Sequence, residues 1–343
     1  MNHATTVQAG LHRHRWGWPD AVLLAAAVAT YFFADLYLAL AASVLVMIIF
    51  ALSLDLAQGY AGIETLGHAA FFGSGAYAAA LYALHVSAEP LSGLLVGAAA
   101  GAAVGAATGL AVLRARGLTQ IMLTLVSATL LFELANVAKS VTMGDDGLTG
   151  YTMAPLLGLF SFDIFGRTAY VYGALVLLAI YIFLRFVVDS PLGLVARGIR
   201  ENPVRMRLLG VPVTRRLLLV YSLSAAVAGV AGALSAQING IVGMDALGFT
   251  LSANVLVMLA LGGTGRLYGA FAGAIVFMLL ADRAAALDPT NWLAALGLLL
   301  ILVVRFAPDG LAGLGDRWPR RKAGPAATAA AAPAHAAEPG SPR

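Results

Sequence analysis

The sequence predicts an all-α, polytopic membrane bundle in which some helices are broken or short. Of its 343 residues, 60% are hydrophobic and 11% charged, and the mean hydropathy is +0.86, far from the half-apolar, quarter-charged balance of soluble domains. The apolar residues lie in long runs rather than amphipathic stripes, so lipid is the solvent for most of the chain, where a span needs roughly 20 apolar residues. An ordinary cytosolic enzyme is excluded. The chain has no cysteine, which removes disulfides, thiol nucleophiles, iron–sulfur clusters and Cys-type zinc sites together.

Apolar runs between charges place spans at 21–34, 36–56, 62–84, 91–113, 118–137, 169–188, 217–238, 251–261, 267–281 and 292–306, about ten in all. Several are too short for a straight span, so they are tilted, extended through boundary residues, or broken within the membrane. The first run follows a basic stretch but leads almost directly into the next span without a small-residue cleavage site, so it reads as a retained helix rather than a signal peptide. The tail 323–343 is Ala- and Pro-rich and cannot bury a core, so disorder is expected. The chain thus divides into an N-terminal segment 1–20, a transmembrane domain 21–314 and a tail 315–343.

Positive loops stay cytoplasmic. Arg13 and Arg15, Arg114 and Arg116, the arginines of 197–216, and Arg317, Arg320, Arg321 and Lys322 are separated by even numbers of spans and fall on one face, which places both termini in the cytoplasm. The other face receives Asp35, Glu89, Asp145, Asp146, Asp163 and Asp288, with Lys139, Arg167 and Arg283 as minority cations.

Gly97, Gly101 and Gly105 recur on one helix face, a pattern that lets helices approach closely in lipid. The stretch 58–77 differs, because it sets Gln58, Glu64 and His68 among glycines at membrane depth, where polar groups need protein or water around them. Glu64 and His68 are four residues apart and would pair if the stretch were helical. The glycines equally permit an unwound segment lining a cavity. A Glu–His pair alone is a poor metal site, so no metal is expected. A second glycine-rich element, 261–273, lacks the strand–helix setting of a phosphate loop and hints at two related halves. Glu133 stands near the end of an apolar run, either facing a cavity or snorkelling. The 144–150 loop has the glycines of a turn but not the ligand spacing of a Ca²⁺ loop, and reads as an exposed turn near a pathway mouth or a docking surface.

The loop 189–216 is the most informative segment. Ser190 before Pro191 fits an N-cap and first helical position, and Pro203 can open a second short helix after Asn202. Leu192, Val195, Ile199, Val204, Leu208 and Leu209 supply apolar contacts, and Arg197, Arg200, Arg205 and Arg207 supply charge. Such a loop either rests on anionic lipid or presents a protein-binding surface.

Taken in order, Gly67-His-Ala-Ala-Phe-Phe-Gly73, Gly75-Ala-Tyr77, Ser190-Pro-Leu-Gly193, Arg200-Glu-Asn202, Leu209-Gly-Val211, Ala228–Leu234, Leu261–Arg266 and Phe306–Leu311 resemble the permease subunit of bacterial branched-chain amino acid ABC transporters, LivM type. The resemblance covers roughly 36–314. It implies a vitamin-B12-importer-like (type II) permease in the bacterial inner membrane, working with ABC ATP-binding subunits, a second related permease in a heterodimer and a periplasmic substrate-binding protein. No nucleic acid is implied. The chain has no Walker A sequence, so it is expected to be no enzyme and to bind no cofactor, with ATP and Mg²⁺ held by the partner subunits.

By the same resemblance the coupling region lies within 190–210, where Pro191, Gly193, Arg197, Arg200, Glu201, Asn202 and Arg205 are the candidates. Glu64, Gly67, His68, Phe72 and Glu133 are the candidates for the pathway or its gate. Glu64 departs from the family pattern, which carries serine or a similar small residue there. Urea or short-chain amides remain alternative solutes, and a proton-coupled secondary transporter using Glu64, His68 or Glu133 is the alternative of another class.

Overall fold

In the computed structural model, the residues described are 30–31, 37–155, 166–287, 297 and 310–311. Their regular secondary structure is helical, with one isolated antiparallel bridge between Leu148 and Val242. The helices are α1 Leu38–Leu54, α2 Ala69–His85, α3 Pro90–Val112, α4 Leu118–Val137, α5 Lys139–Thr142, α6 Arg167–Asp189, α7 Pro191–Glu201, α8 Pro203–Leu208, α9 Val213–Asn239, α10 Phe249–Gly262 and α11 Leu267–Leu287. Six helical stretches are long and apolar enough to cross a membrane, counting α1 with its continuation to Tyr60. The expected spans 21–34 and 292–306, the basic residues near both ends, the acidic residues 35, 163 and 288, and the tail lie outside the described residues, apart from Thr30, Tyr31 and Gly297.

Every span expected between 36 and 281 contains a helix, and one is much shorter than expected. The run 62–84 is helical only from Ala69, because α1 ends in a widened turn over Asp55–Tyr60 and the chain then runs without helix to His68. Gly62, at φ +70°, makes the exit from that turn, a conformation that glycine adopts without the Cβ penalty.

The centre of the bundle is α9, which packs against α1, α2 and α3. Lipid supplies no hydrophobic drive between helices, so close approach of small residues has to hold them. Along α3, Gly97 faces Ala233 and the Gly229 carbonyl, Gly101 faces Ala225 and Gly229, Gly105 faces Ala225, and Gly109 faces Leu218 and Tyr221. On α2, Gly75 meets Gly229, while Gly232 of α9 meets the Phe72 carbonyl. A Cβ at any of these contacts would overlap the facing helix. The pattern read from Gly97, Gly101 and Gly105 is thus a helix-packing seam. A second unit, the hairpin α10–α11, packs on α1, closed by Gly262 against the Gly269 carbonyl and by Gly273 against the Met258 carbonyl.

The loops gather at two ends. Contacts of Arg200 with Gly59, Gly62 and Gly265 bring 55–62, 190–212 and 263–266 together at one end. At the other, Ala154 donates to the Ala88 carbonyl at 2.9 Å and Leu148 pairs with Val242.

Replacing Gly229 by leucine should cost about 3 kcal/mol through overpacking. The readout is a lower melting temperature and loss of the monodisperse peak in detergent. Ala99→Leu, on the exposed face of α3, should leave both within error.

Candidate functional site

Breaking a helix at membrane depth exposes backbone N–H groups that must find partners inside the protein. The break between α1 and α2 is served by hydroxyls. Leu66 N–H donates to Thr124 Oγ1 of α4 at 3.1 Å, Gly67 N–H to Thr65 Oγ1 at 3.2 Å, and Ala69 N–H to Ser252 Oγ of α10 at 2.9 Å. Gly67 lies flat against the Thr124 carbonyl, leaving no room for a side chain.

His68 closes the break from within. It is fully buried, stacked on Phe50 with centroids 5.5 Å apart, and edge-on to Phe71 at 5.3 Å. Its Nε2 lies 2.9 Å from Ser53 Oγ, which itself donates to the Phe50 carbonyl at 2.6 Å. That hydroxyl proton is committed, so Ser53 accepts from Nε2–H and Nδ1 is the bare nitrogen. Nδ1 is buried without a partner among the described residues. Glu64, by contrast, is exposed and the chain between the two is not helical, so the expected Glu64–His68 pair does not form: the unwound backbone turns one side chain outward and the other into the core.

A second constellation lies where the α1 turn meets the loops at one end. Asp55 is fully buried, and its Oδ1 accepts the Gly265 N–H at 2.6 Å. Its Oδ2 and the Gln58 Oε1 are buried and have no partner among the described residues. Gly59 has no room for a Cβ, which would overlap Asp55 Oδ1 and lie 2.5 Å from Gly265 N. Arg200 Nη1 donates to the Gly59 carbonyl, and its stem crosses Gly62, where a Cβ would stand 2.9 Å from Cγ. Arg197 lies over the Tyr60 ring, 5.0 Å from its centroid, and its Nη2 is 3.5 Å from the Val188 carbonyl. Two arginines of α7 therefore brace the end of α1.

The predicted pair of short helices forms as expected, with one difference of detail. Asn202 Oδ1 accepts the Arg205 N–H at 2.9 Å and caps α8. Ser190 sits at the N-cap position before Pro191, yet its hydroxyl donates back to the Val187 carbonyl at 2.6 Å, serving the end of α6. Gly193 rests on the Val188 carbonyl and Gly198 on Met206, so α7 folds against both neighbours. Gly193, Ala196 and Ile199 form its buried face, while Leu194, Val204, Leu208 and Leu209 are 51%, 57%, 84% and 69% exposed. Glu201 and Arg205 are exposed beside them.

At the opposite end a cavity of about 210 Å³ is lined by Met47, Phe72, Ala76, Ser235, Leu251 and the loop 241–246. Phe72 is the pathway candidate that reaches it. The loop dips into the bundle, with Leu247 and the Ala246 carbonyl against Gly73. The 144–150 turn packs at the same mouth, where Leu148 and Tyr151 share a cluster with Val242, Met244 and Leu247. Glu133 is exposed on α4, away from this cavity's lining. Sequence reasoning missed Asp55 and Gly265. The available signal was a carboxylate inside the apolar run 36–56.

Six helical stretches long and apolar enough to cross a membrane, a break between α1 and α2, a small cavity at one end and a braced amphipathic helix pair at the other make a multi-pass membrane protein. The chain belongs to the family of permease components of branched-chain amino acid transport systems, whose model matches residues 36–304. The high-affinity branched-chain amino acid transport system permease protein LivM of Salmonella typhimurium is 30% identical over 301 residues, 79% of this chain and 69% of the relative. LivM of Escherichia coli K12 is 29% identical over 296 residues, 78% and 68% of the two chains. The permease protein LivH of Escherichia coli K12 is 31% identical over 140 residues, 40% of this chain and 44% of that one. No solved structure matches the chain.

Asp55→Ala would leave the Gly265 N–H buried without an acceptor, and should cost about 2 kcal/mol. Asp55→Asn keeps an acceptor oxygen and should recover most of that loss. Thermal unfolding of the detergent-purified protein measures both.

Proposed function

We propose that this chain is the membrane-spanning subunit of an ATP-driven importer for branched-chain amino acids. The proposed assembly contains partner ATP-binding subunits, a second related permease and a periplasmic binding protein. The bundle of about ten spans, of the type II architecture, occupies residues 21–314 in the inner membrane, with residues 1–20 and 315–343 cytoplasmic. ATP and Mg²⁺ reside on the partners.

The observation that carries the reading is the two-sided character of α7–α8. Its outer side offers Leu194, Val204, Leu208 and Leu209 with Arg205 and Glu201, an apolar patch rimmed by charge and suited to a protein partner. Its inner side is locked to the bundle by Arg197 and Arg200. Movement of an ATPase docked on the outer side would therefore reach the end of α1 directly, and the α10–α11 loop through Gly59, Asp55 and Gly265. That movement opens the bundle alternately to either side.

The proton-carrier reading has less support, because the His68 imidazole is walled in by Phe50 and Phe71, and its free Nδ1 has no hydrogen-bonded relay.

Vesicles containing all four components should take up leucine only with ATP, in a vanadate-sensitive manner, and collapse of the proton gradient should have no effect. Uptake by the isolated chain under a proton gradient would overturn the proposal. Arg200→Ala should leave the ATPase bound and hydrolysing while uptake falls about tenfold or more, since the interaction lost is a coupling free energy. Leu208→Glu with Leu209→Glu should instead release the ATPase during co-purification.

A further inference from the structure

The importer reading leaves open how the bundle discriminates its solute. The cavity at the end away from α7 is small: about 210 Å³, below the roughly 300–1,000 Å³ of pockets for drug-sized ligands. Its walls are the aliphatic or aromatic side chains of Met47, Phe72, Ala76, Ile241, Val242 and Leu251. Two polar side chains line it, Ser235 and Asp245. The Ser235 oxygen accepts from Asn239 Nδ2 at 3.1 Å. The Asp245 side chain makes no hydrogen bond or ion pair with any described residue, and no Lys, Arg or His is among the described residues that line the cavity.

Asp245 sits in the dipping loop, in the first turn of the short helical segment Met244–Leu247. Its position is set by the packing of Leu247 and Ala246 on Gly73 and by the Leu148–Val242 bridge. The carboxylate is thus held, exposed, at the mouth of the cavity beside its apolar wall, with no cation among the described residues that line it. A carboxylate so placed favours a cation over a neutral solute, and beside an aliphatic surface it favours a cation bearing an aliphatic body.

We propose that this cavity is a recognition site for small aliphatic α-amino acids, in which Asp245 receives the ammonium group while Met47, Phe72, Val242 and Leu251 receive the branched side chain. The solute's own carboxylate stays hydrated in the open mouth. Asp245 is a specificity-determining residue that excludes urea and short amides, because these bring no charge to offset the carboxylate. The assignment rests on the importer reading and adds a residue and a charge requirement to it.

The chain's lack of cysteine provides the test. In membranes containing the complete transporter, Ser235→Cys places a reporter thiol on the cavity wall and leaves Asp245 intact. Its modification by a small methanethiosulfonate reagent is followed by mass spectrometry. Leucine and 3-methylbutylamine should slow modification, 4-methylpentanoate and urea should not, and adding Asp245→Asn should abolish protection. In uptake assays Asp245→Asn should raise the KM for leucine about tenfold, the loss of one charge-assisted contact, and Asp245→Glu should restore part of it. Protection by 4-methylpentanoate equal to that by leucine, or an unchanged KM in Asp245→Asn, overturns the assignment while the importer reading stands. A wild-type transporter that carries urea and not leucine overturns both.

Discussion

The rest of the fold depends on satisfying backbone polar groups where there is no water to do it. A continuous helix meets that requirement by itself, but this chain interrupts one between Tyr60 and Ala69, so the freed N–H groups need acceptors from elsewhere. Thr124 and Ser252 supply them from α4 and α10, and each hydroxyl ties a remote helix to the break. The interruption thus works as a junction. Helices that would otherwise meet lipid or one another only through apolar contact are registered by hydrogen bonds, and His68, fixed through Ser53 to the Phe50 carbonyl, fills the space that the missing helical turn leaves.

Around that junction the bundle separates into bodies of different stiffness. The seam of Gly97, Gly101, Gly105 and Gly109 against α9, with Gly75 and Gly232, brings α2, α3 and α9 backbone to backbone. Contacts of this kind have no flexible side chain between them to absorb a displacement, so the three helices move together or not at all. The α10–α11 hairpin is closed internally by its own glycines and packs mainly on α1, with one direct tie to the other body where Ala69 N–H donates to Ser252 Oγ. Both bodies pack on α1, and its widened terminal turn is the place where Arg197 and Arg200 attach.

The residues disclosed the architecture more readily than the site. Apolar run length located α1 to α4, α6 and α9 to α11, because the bilayer sets that length regardless of partners. Four-residue glycine spacing disclosed the α3 seam for the same reason: the pattern is local. Prolines and Asn202 marked α7 and α8 through backbone chemistry that acts within a few residues. What stayed hidden was long-range. Glu64 and His68 looked like a helical pair because spacing alone cannot tell a helix from its break, and the hydroxyls that stabilise the break come from residues 58 and 183 positions away. Arg200 is exposed on α7 as its place in the loop suggested, but its bond to the Gly59 carbonyl, 141 residues distant, left no local sign. Asp55 was masked by the apolar run around it, its partner Gly265 being 210 residues further along.

The two glycine-rich elements, which suggested related halves of the chain, meet at this node. Gly59 belongs to the first and Gly265 to the second, each lacks the bulk that would hold the other off, and Asp55 stands just ahead of the first. A buried carboxylate is a poor way to gain stability, because its desolvation outweighs a single hydrogen bond. An apolar residue at position 55 would pack there at lower cost, but it would leave the Gly265 amide without an acceptor and the α10–α11 loop without an attachment to α1. The arrangement makes sense as a joint. Arg200 grips the Gly59 carbonyl on one side of the turn while Asp55 holds Gly265 on the other, so a push on α7 is delivered to both halves of the bundle through one turn of helix. The widened hydrogen bonding of that turn, with Ile63 N–H reaching back to the Ala57 carbonyl at 2.9 Å, gives it backbone slack that a regular α-helical turn does not have.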